Sequence, residues 1–157
     1  MLVVGKEQLP FSMEPWIQEM FEDIESSAFD TPVLQLNRRF IRTLTWLPAR
    51  CKALRLDENF LTTLPELSEY VESLSVANNR LRTLPALPSN LKYLDVSNNP
   101  NLQELPFLPN GLEVLKATNC SLRSLPCLPP SLHYIYISNN PLEDVPPLPE
   151  KLQILQR

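Results

Sequence analysis

Several residue types that chemistry depends on are scarce in this chain. Glycine occurs only at Gly5 and Gly111 in 157 residues, and two isolated glycines do not make a loop that cradles a phosphate. The single histidine, His133, has no serine or cysteine at a spacing that would form a nucleophile–base pair. Cys51, Cys120 and Cys127 fit neither a disulfide framework nor a metal-ligand spacing. They are read as buried thiols acting as small apolar residues in a reducing environment. No apolar run approaches the roughly 18 residues of a membrane span. The opening "MLVVGKEQLPF" is too short an apolar stretch for a secretory signal. A net charge of −4 lacks the basic footprint of a nucleic-acid or anionic-lipid binder. The expectation is therefore a chain with no catalytic residues, no cofactor, no metal, no nucleic acid and no membrane span.

Proline is abundant, at 17 residues, yet 43% of the chain is hydrophobic and 20% charged, a globular composition. The reason is a repeat. Anchoring on Leu34, Leu54, Leu74, Leu94, Leu115, Ile135 and Leu155 gives spacings of 20 residues, with a single 21 between Leu94 and Leu115. A second apolar column follows two residues later, at Leu36, Leu56, Val76, Val96, Ala117 and Ile137. Five residues after the anchor stand Arg39, Asn59, Asn79, Asn99, Cys120 and Asn140. This is the leucine-rich-repeat signature.

The physics of each column follows. Alternating apolar residues mark a short strand with one buried face. Stacking one strand per turn predicts a parallel sheet on the concave face, about 30 Å across for six units. Asn59, Asn79, Asn99 and Asn140 form a structural ladder, turned inward to satisfy buried backbone groups, with Cys120 substituting in one unit. Arg39 cannot do so, which makes the first unit irregular. Further apolar positions (Leu61, Leu81, Leu102, Leu122, and Leu64, Leu84, Leu105, Leu125) complete the interior. The extra residue of the long unit falls at Pro100–Asn101, where a loop tolerates it.

The prolines fall in two columns, Pro65, Pro85, Pro106, Pro126, Pro146 and Pro48, Pro88, Pro109, Pro129, Pro149. Both belong to the return path, an irregular or polyproline-II convex side with no room for a helix. Residues 1–32 read differently. Ser12 is an N-cap, and Met13, Trp16, Ile17, Met20, Phe21 and Ile24 form one apolar stripe of a helix over about 12–28. That helix is expected to cap the open edge of the first repeat. Residues 33–157 form the repeat domain, six repeats of 20–21 residues and the start of a seventh. Because "KLQILQR" stops at that strand, the chain reads as a fragment or as ending in an edge shielded by self-association.

The units "LSVANNRLRTLPALPSNLKY" and "IYISNNPLEDVPPLPEKLQI" resemble the Leu-Pro-x class of leucine-rich repeats of bacterial type III effectors, the YopM and IpaH kind. The helical segment feeding a first repeat in "FEDIESSAFDTPVLQLNRRFIRTL" is similar to their N-terminal arrangement. Thr45 and Ser68 depart from the proline pattern. The resemblance implies secretion into the cytoplasm of a host cell and a role in virulence through binding a host protein. It also implies an alternative, the substrate-recognition region of an IpaH-like E3 ubiquitin ligase. The Cys-x-Asp motif of that ligase branch has no match in "CKA", "CSL" or "CLP".

Side chains between the buried strand positions point outward from the sheet. They give a candidate partner-binding face of Arg55, Asp57, Tyr93, Asp95, Lys116, Tyr134 and Tyr136. Tyrosine and arginine offer large contact area at modest entropic cost, although tyrosines also stack across strands for stability alone. Asp57 and Asp95 are read as two repeats apart in one column, too wide for a glycosidase pair. Phe40 and Phe60 are expected to cluster at one rim. Together these features predict a non-enzymatic protein-interaction module.

Overall fold

A computed structural model describes residues 33–156. The capping helix expected over about 12–28, with the rest of segment 1–32, lies outside the described residues. Within them, seven three-residue strands form one parallel sheet in chain order. They are β1 (Val33–Gln35), β2 (Ala53–Arg55), β3 (Ser73–Ser75), β4 (Tyr93–Asp95), β5 (Val114–Lys116), β6 (Tyr134–Tyr136) and β7 (Ile154–Gln156). The anchors set the register. Leu34 pairs with Leu54, Leu54 with Leu74, Leu74 with Leu94, Leu94 with Leu115, Leu115 with Ile135, and Ile135 with Leu155. From β1 to β6 each strand buries its central residue and turns its two flanking side chains away from the core. In β7 the central Leu155 is half-buried.

The two leucine columns are almost wholly excluded from water, from Leu34 and Leu36 through Ile135 and Ile137. A further buried column lies three residues before the anchors: Cys51, Val71, Leu91, Leu112 and Leu132. It closes the coil on the return side and explains Cys51, whose neighbours in the column are aliphatic. No turn buries its own apolar face alone, so stability accumulates from neighbour to neighbour.

The asparagine ladder has the expected chemistry. The Asn79 side-chain amide donates to the carbonyls of Leu56 and Val76 at 3.0 and 3.1 Å, and its oxygen accepts from Leu61 N at 3.0 Å. Asn99 repeats this with Val76 O, Val96 O and Leu81 N. Asn140 repeats it with Ala117 O, Ile137 O and Leu122 N. At the start of the stack Asn59 Oδ1 accepts from both Arg39 N and Ile41 N. The irregular first unit is thus tied down by its neighbour, and Arg39 itself stays exposed.

Cys120 takes only half of the role. Its thiol donates to Val96 O at 3.3 Å, and burial pushes its pKa up. It provides no amide oxygen for the turn before it. Leu102 N, which an asparagine at 120 would serve, bonds instead to Asn99 O at 3.0 Å within its own turn. The inserted residue at Pro100–Asn101 makes that rerouting geometrically available, so the long unit and the cysteine accompany each other.

Among the described residues the return path carries no helix or strand. Each crossing ends in a turn, in which Leu91 N bonds to Pro88 O, Leu112 N to Pro109 O, Leu132 N to Pro129 O and Leu152 N to Pro149 O. Proline serves there because the turn needs its carbonyl and not an N–H. Ser68 replaces it with a similar bond from Val71 N, and its hydroxyl also donates to Ala49 O at 2.6 Å. Cys127 corrects the reading of three buried thiols. It occupies the middle of Leu-Pro-x-Leu-Pro, which faces solvent as Phe107 does, and it is exposed.

A second column is not visible from the repeat pattern. Arg38, Glu58, Asn78, Asn98, Asn119 and Asn139 all have φ between 55° and 58°, the left-handed turn that carries the chain from the strand into the coil. Asparagine tolerates this conformation best among non-glycine residues. Arg38 and Glu58, which suit it less well, face each other in a bidentate pair at 2.8 Å.

Candidate protein-interaction face

The flanking strand residues build the open face of the sheet in columns. One runs Val33, Ala53, Ser73, Tyr93, Val114, Tyr134. The next runs Gln35, Arg55, Ser75, Asp95, Lys116, Tyr136. A third, just past the strands, holds Asn37, Asp57, Ala77, Ser97, Thr118 and Ser138. Asp57 and Asp95 therefore stand in different columns, contrary to the sequence reading, because Asp57 follows its anchor by three residues and Asp95 by one.

The third column braces one turn against the next. Asn37 Oδ1 accepts from Asp57 N at 2.9 Å, and Asp57 Oδ1 accepts from Ala77 N at 2.8 Å and from the Ser75 hydroxyl at 2.7 Å. Asp95 accepts from Ser97 N at 3.0 Å and from the Tyr93 hydroxyl at 3.3 Å. Both carboxylates are thus engaged with neutral donors of the fold. Arg55 differs. It is exposed and has no hydrogen-bonded or ion-pair partner for its guanidinium among the described residues. Arg38, Lys52 and Lys92, by contrast, pair with Glu58 and Glu72 along the stack.

β3 contributes only small side chains, Ser73 and Ser75, followed by Ala77. The result is a shallow depression of about 350 Å³ lined by Asn37, Arg55, Asp57, Ser73, Ser75 and Tyr93. Its sequence signal is the local run of small residues between larger neighbours in both columns, legible only once the columns are placed side by side.

On the other side of Tyr93 the face becomes aromatic. Lys116 Nζ sits 5.5 Å from the Tyr93 ring centre and 5.7 Å from that of Tyr136, within cation–π range of both. Its pKa is raised, chiefly through hydrogen bonding to the Tyr93 hydroxyl. Burial and then the charge of Asp95 push the Tyr93 hydroxyl up, with Lys116 opposing. Tyr134 does not join this group. Its hydroxyl donates to Gln153 Oε1 at 2.8 Å, and its ring lies beside His133 at 6.4 Å. The seven candidate residues therefore separate into a notch beside Arg55, a Tyr93–Lys116–Tyr136 stack, and a tyrosine turned to the next turn.

The rim carries a stack of its own, with the Phe40 and Phe60 rings 6.1 Å apart and the Arg80 guanidinium 4.8 Å from the Phe60 ring centre. Among the described residues no three of His, Cys, Asp and Glu gather as a metal-ligand set. No helix among them is long and apolar enough to cross a membrane.

The Leucine Rich Repeat family model matches residues 90–112 and 131–152. No curated protein matches the chain. Among solved structures, YopM from Yersinia enterocolitica WA-314 aligns at a TM-score of 0.70 and 40% identity, over 72% of this chain and 25% of that one. YopM, a leucine-rich effector protein from Yersinia pestis, aligns at 0.70 and 45% identity, over 73% and 33%. A Shigella effector LRR domain aligns at 0.74 and 29% identity, over 87% of this chain and 70% of that one. The chain thus spans a quarter to a third of the length of the two YopM chains. With the repeat register, the asparagine ladder and the helix-free return path of the described residues, these likenesses place the chain in the bacterial leucine-rich-repeat effector family.

Proposed function

We propose that this chain is the non-enzymatic recognition module of a bacterial effector, secreted into the reducing cytoplasm of a host cell, where its concave face binds a host protein. The observation that carries this reading is the contrast between the two sides of the solenoid. The return path is shaped by proline columns, whereas the sheet face holds the notch at Arg55 and the Tyr93–Lys116–Tyr136 stack. Arginine and tyrosine next to an open depression are the residue types from which interface anchors are built. Replacing Tyr93, Tyr134 and Tyr136 together by Ala should reduce capture of the partner from host lysate at least tenfold, with the circular dichroism spectrum near that of the unaltered chain. Unchanged capture would count against the face.

A second reading is the substrate-recognition region of an IpaH-like E3 ubiquitin ligase. It rests on the resemblance of the repeat units to the IpaH kind, and the likeness to the Shigella effector LRR domain supports the repeat fold that both readings share. A ubiquitin-transfer assay on the complete gene product separates the two readings. In either, the chain divides into a capping segment, 1–32, and a repeat domain, 33–157. Self-association through the outer edge of β7 belongs to the same proposal, and sedimentation velocity over a concentration series would reveal it as a rising mass.

A further inference from the structure

Resting on the concave-face reading above, we infer that the partner segment is extended and acidic, with two carboxylates four residues apart that seat on Arg55 and Lys116. Four observations lead there. Arg55 and Lys116 are the two cations of the described face, in a chain whose net charge is −4. Arg55 borders the depression, lacks an anionic partner and is exposed. Lys116 is held between two tyrosine rings and forms no ion pair within the described residues. The two carboxylates of the same face already accept hydrogen bonds from Ser75, Ala77, Ser97 and Tyr93. The carboxylates thus have their acceptor sites engaged. Arg55, by contrast, has no partner among the described residues, and Lys116 has only the through-space field of Asp95 opposite it. The hydrogen-bonding capacity left open on this face is therefore that of cationic donors.

Spacing decides the form of the partner. Arg55 and Lys116 occupy one column on β2 and β5, three strands apart, which is about 14 Å at roughly 4.8 Å per strand. An extended segment crossing the strands advances about 3.4 Å per residue, so side chains i and i+4 share a face about 14 Å apart. A helix brings like-facing residues to about 10.5 Å (i, i+7) or 16.5 Å (i, i+11), and neither fits. Asp95 lies between the two cations in that column and favours a basic or hydrogen-bond-donating residue at i+2. The same carboxylate, with Asp57 beside the notch, repels a continuous polyanion and so argues against a nucleic-acid backbone.

Panning a randomised peptide display library on the full chain tests this. The expected result is enrichment of an acidic pair at i and i+4. A synthetic peptide carrying that pair should bind about tenfold more weakly to R55A and to K116A, with folding checked by circular dichroism. The doubly reversed R55E/K116E chain should prefer the same peptide with lysine at both positions. Peptides that bind without an acidic pair, yet lose affinity in a Y93A/Y136A chain, would overturn the charge register and leave the concave-face reading standing. Peptides indifferent to both sets of substitutions would sink that reading as well. Absence of any enrichment would overturn the extended acidic segment.

Discussion

At the scale of single residues, the fold depends on the inward-turned amides of Asn59, Asn79, Asn99 and Asn140. Asn79 satisfies Leu56 O, Val76 O and Leu61 N at once. Replacing it by Leu puts a larger apolar side chain in its place and leaves Leu61 N without its acceptor, at about 1–3 kcal/mol. Leu56 O and Val76 O each lose one of two donors and keep the other, from Asn59 and Asn99. With the cost of the bulkier side chain, Asn79→Leu should lower unfolding stability by about 2 kcal/mol or more, read as a lower urea midpoint. A near-native midpoint would contradict the ladder. Tyr93 and Lys116 give a pH-dependent signature. Both pKa values are raised in the folded chain, Tyr93 chiefly by burial and Lys116 chiefly by its hydrogen bond to Tyr93. Each group therefore contributes stability below its ordinary pKa, near 10 for both, and loses it as pH rises through the folded value. Alkaline titration of tyrosinate absorbance should show one late component, removed by Tyr93→Phe. A titration without that late component would contradict the burial of the Tyr93 hydroxyl.

At the scale of the element, one coil of the stack is largely legible in the amino-acid sequence. The anchors define seven strands and their register because a parallel stack allows only one residue per column at each step. The ladder is legible because an asparagine at a fixed offset among leucines has no other way to satisfy its amide. The left-handed column at Arg38, Glu58 and Asn78 is not, since it is a backbone property and its first two residues are not the types that signal it. Cys51 and Cys127 look alike as cysteines; only their places in the coil make one buried and the other exposed. The separation of Tyr134 from Tyr93 and Tyr136 depends on Gln153 of the next turn, a contact that column position alone does not specify. The long unit adds a coupled prediction. Cys120→Asn alone introduces an amide oxygen whose natural donor, Leu102 N, is already bonded to Asn99 O. Deleting Asn101 alone takes that acceptor away from Leu102 N. Each change should destabilise by about 1–2 kcal/mol, and together they should lose less than the sum by about 1 kcal/mol or more. Strict additivity in a double-mutant cycle would contradict the link between insertion and cysteine.

At the scale of the whole molecule, the residues that set the solenoid's shape differ from those proposed for recognition. Leucines, asparagines and prolines repeat because every turn must meet the same packing demands on its neighbours. The outward strand positions are under less of that demand, and they vary from Ser73 to Tyr93 to Val114 within three strands. The family relationship supports a protein-interaction module, and the proposal above assigns its recognition to the concave side. A photo-crosslinking side chain placed in turn at Ser75 and at Ala86, followed by exposure of each chain to host lysate, tests this most directly. Ser75 lines the depression, and Ala86 is exposed on the proline-rich return path. Concave-face recognition predicts a discrete host-protein adduct from position 75 and none from position 86. An adduct from position 86 alone would contradict it.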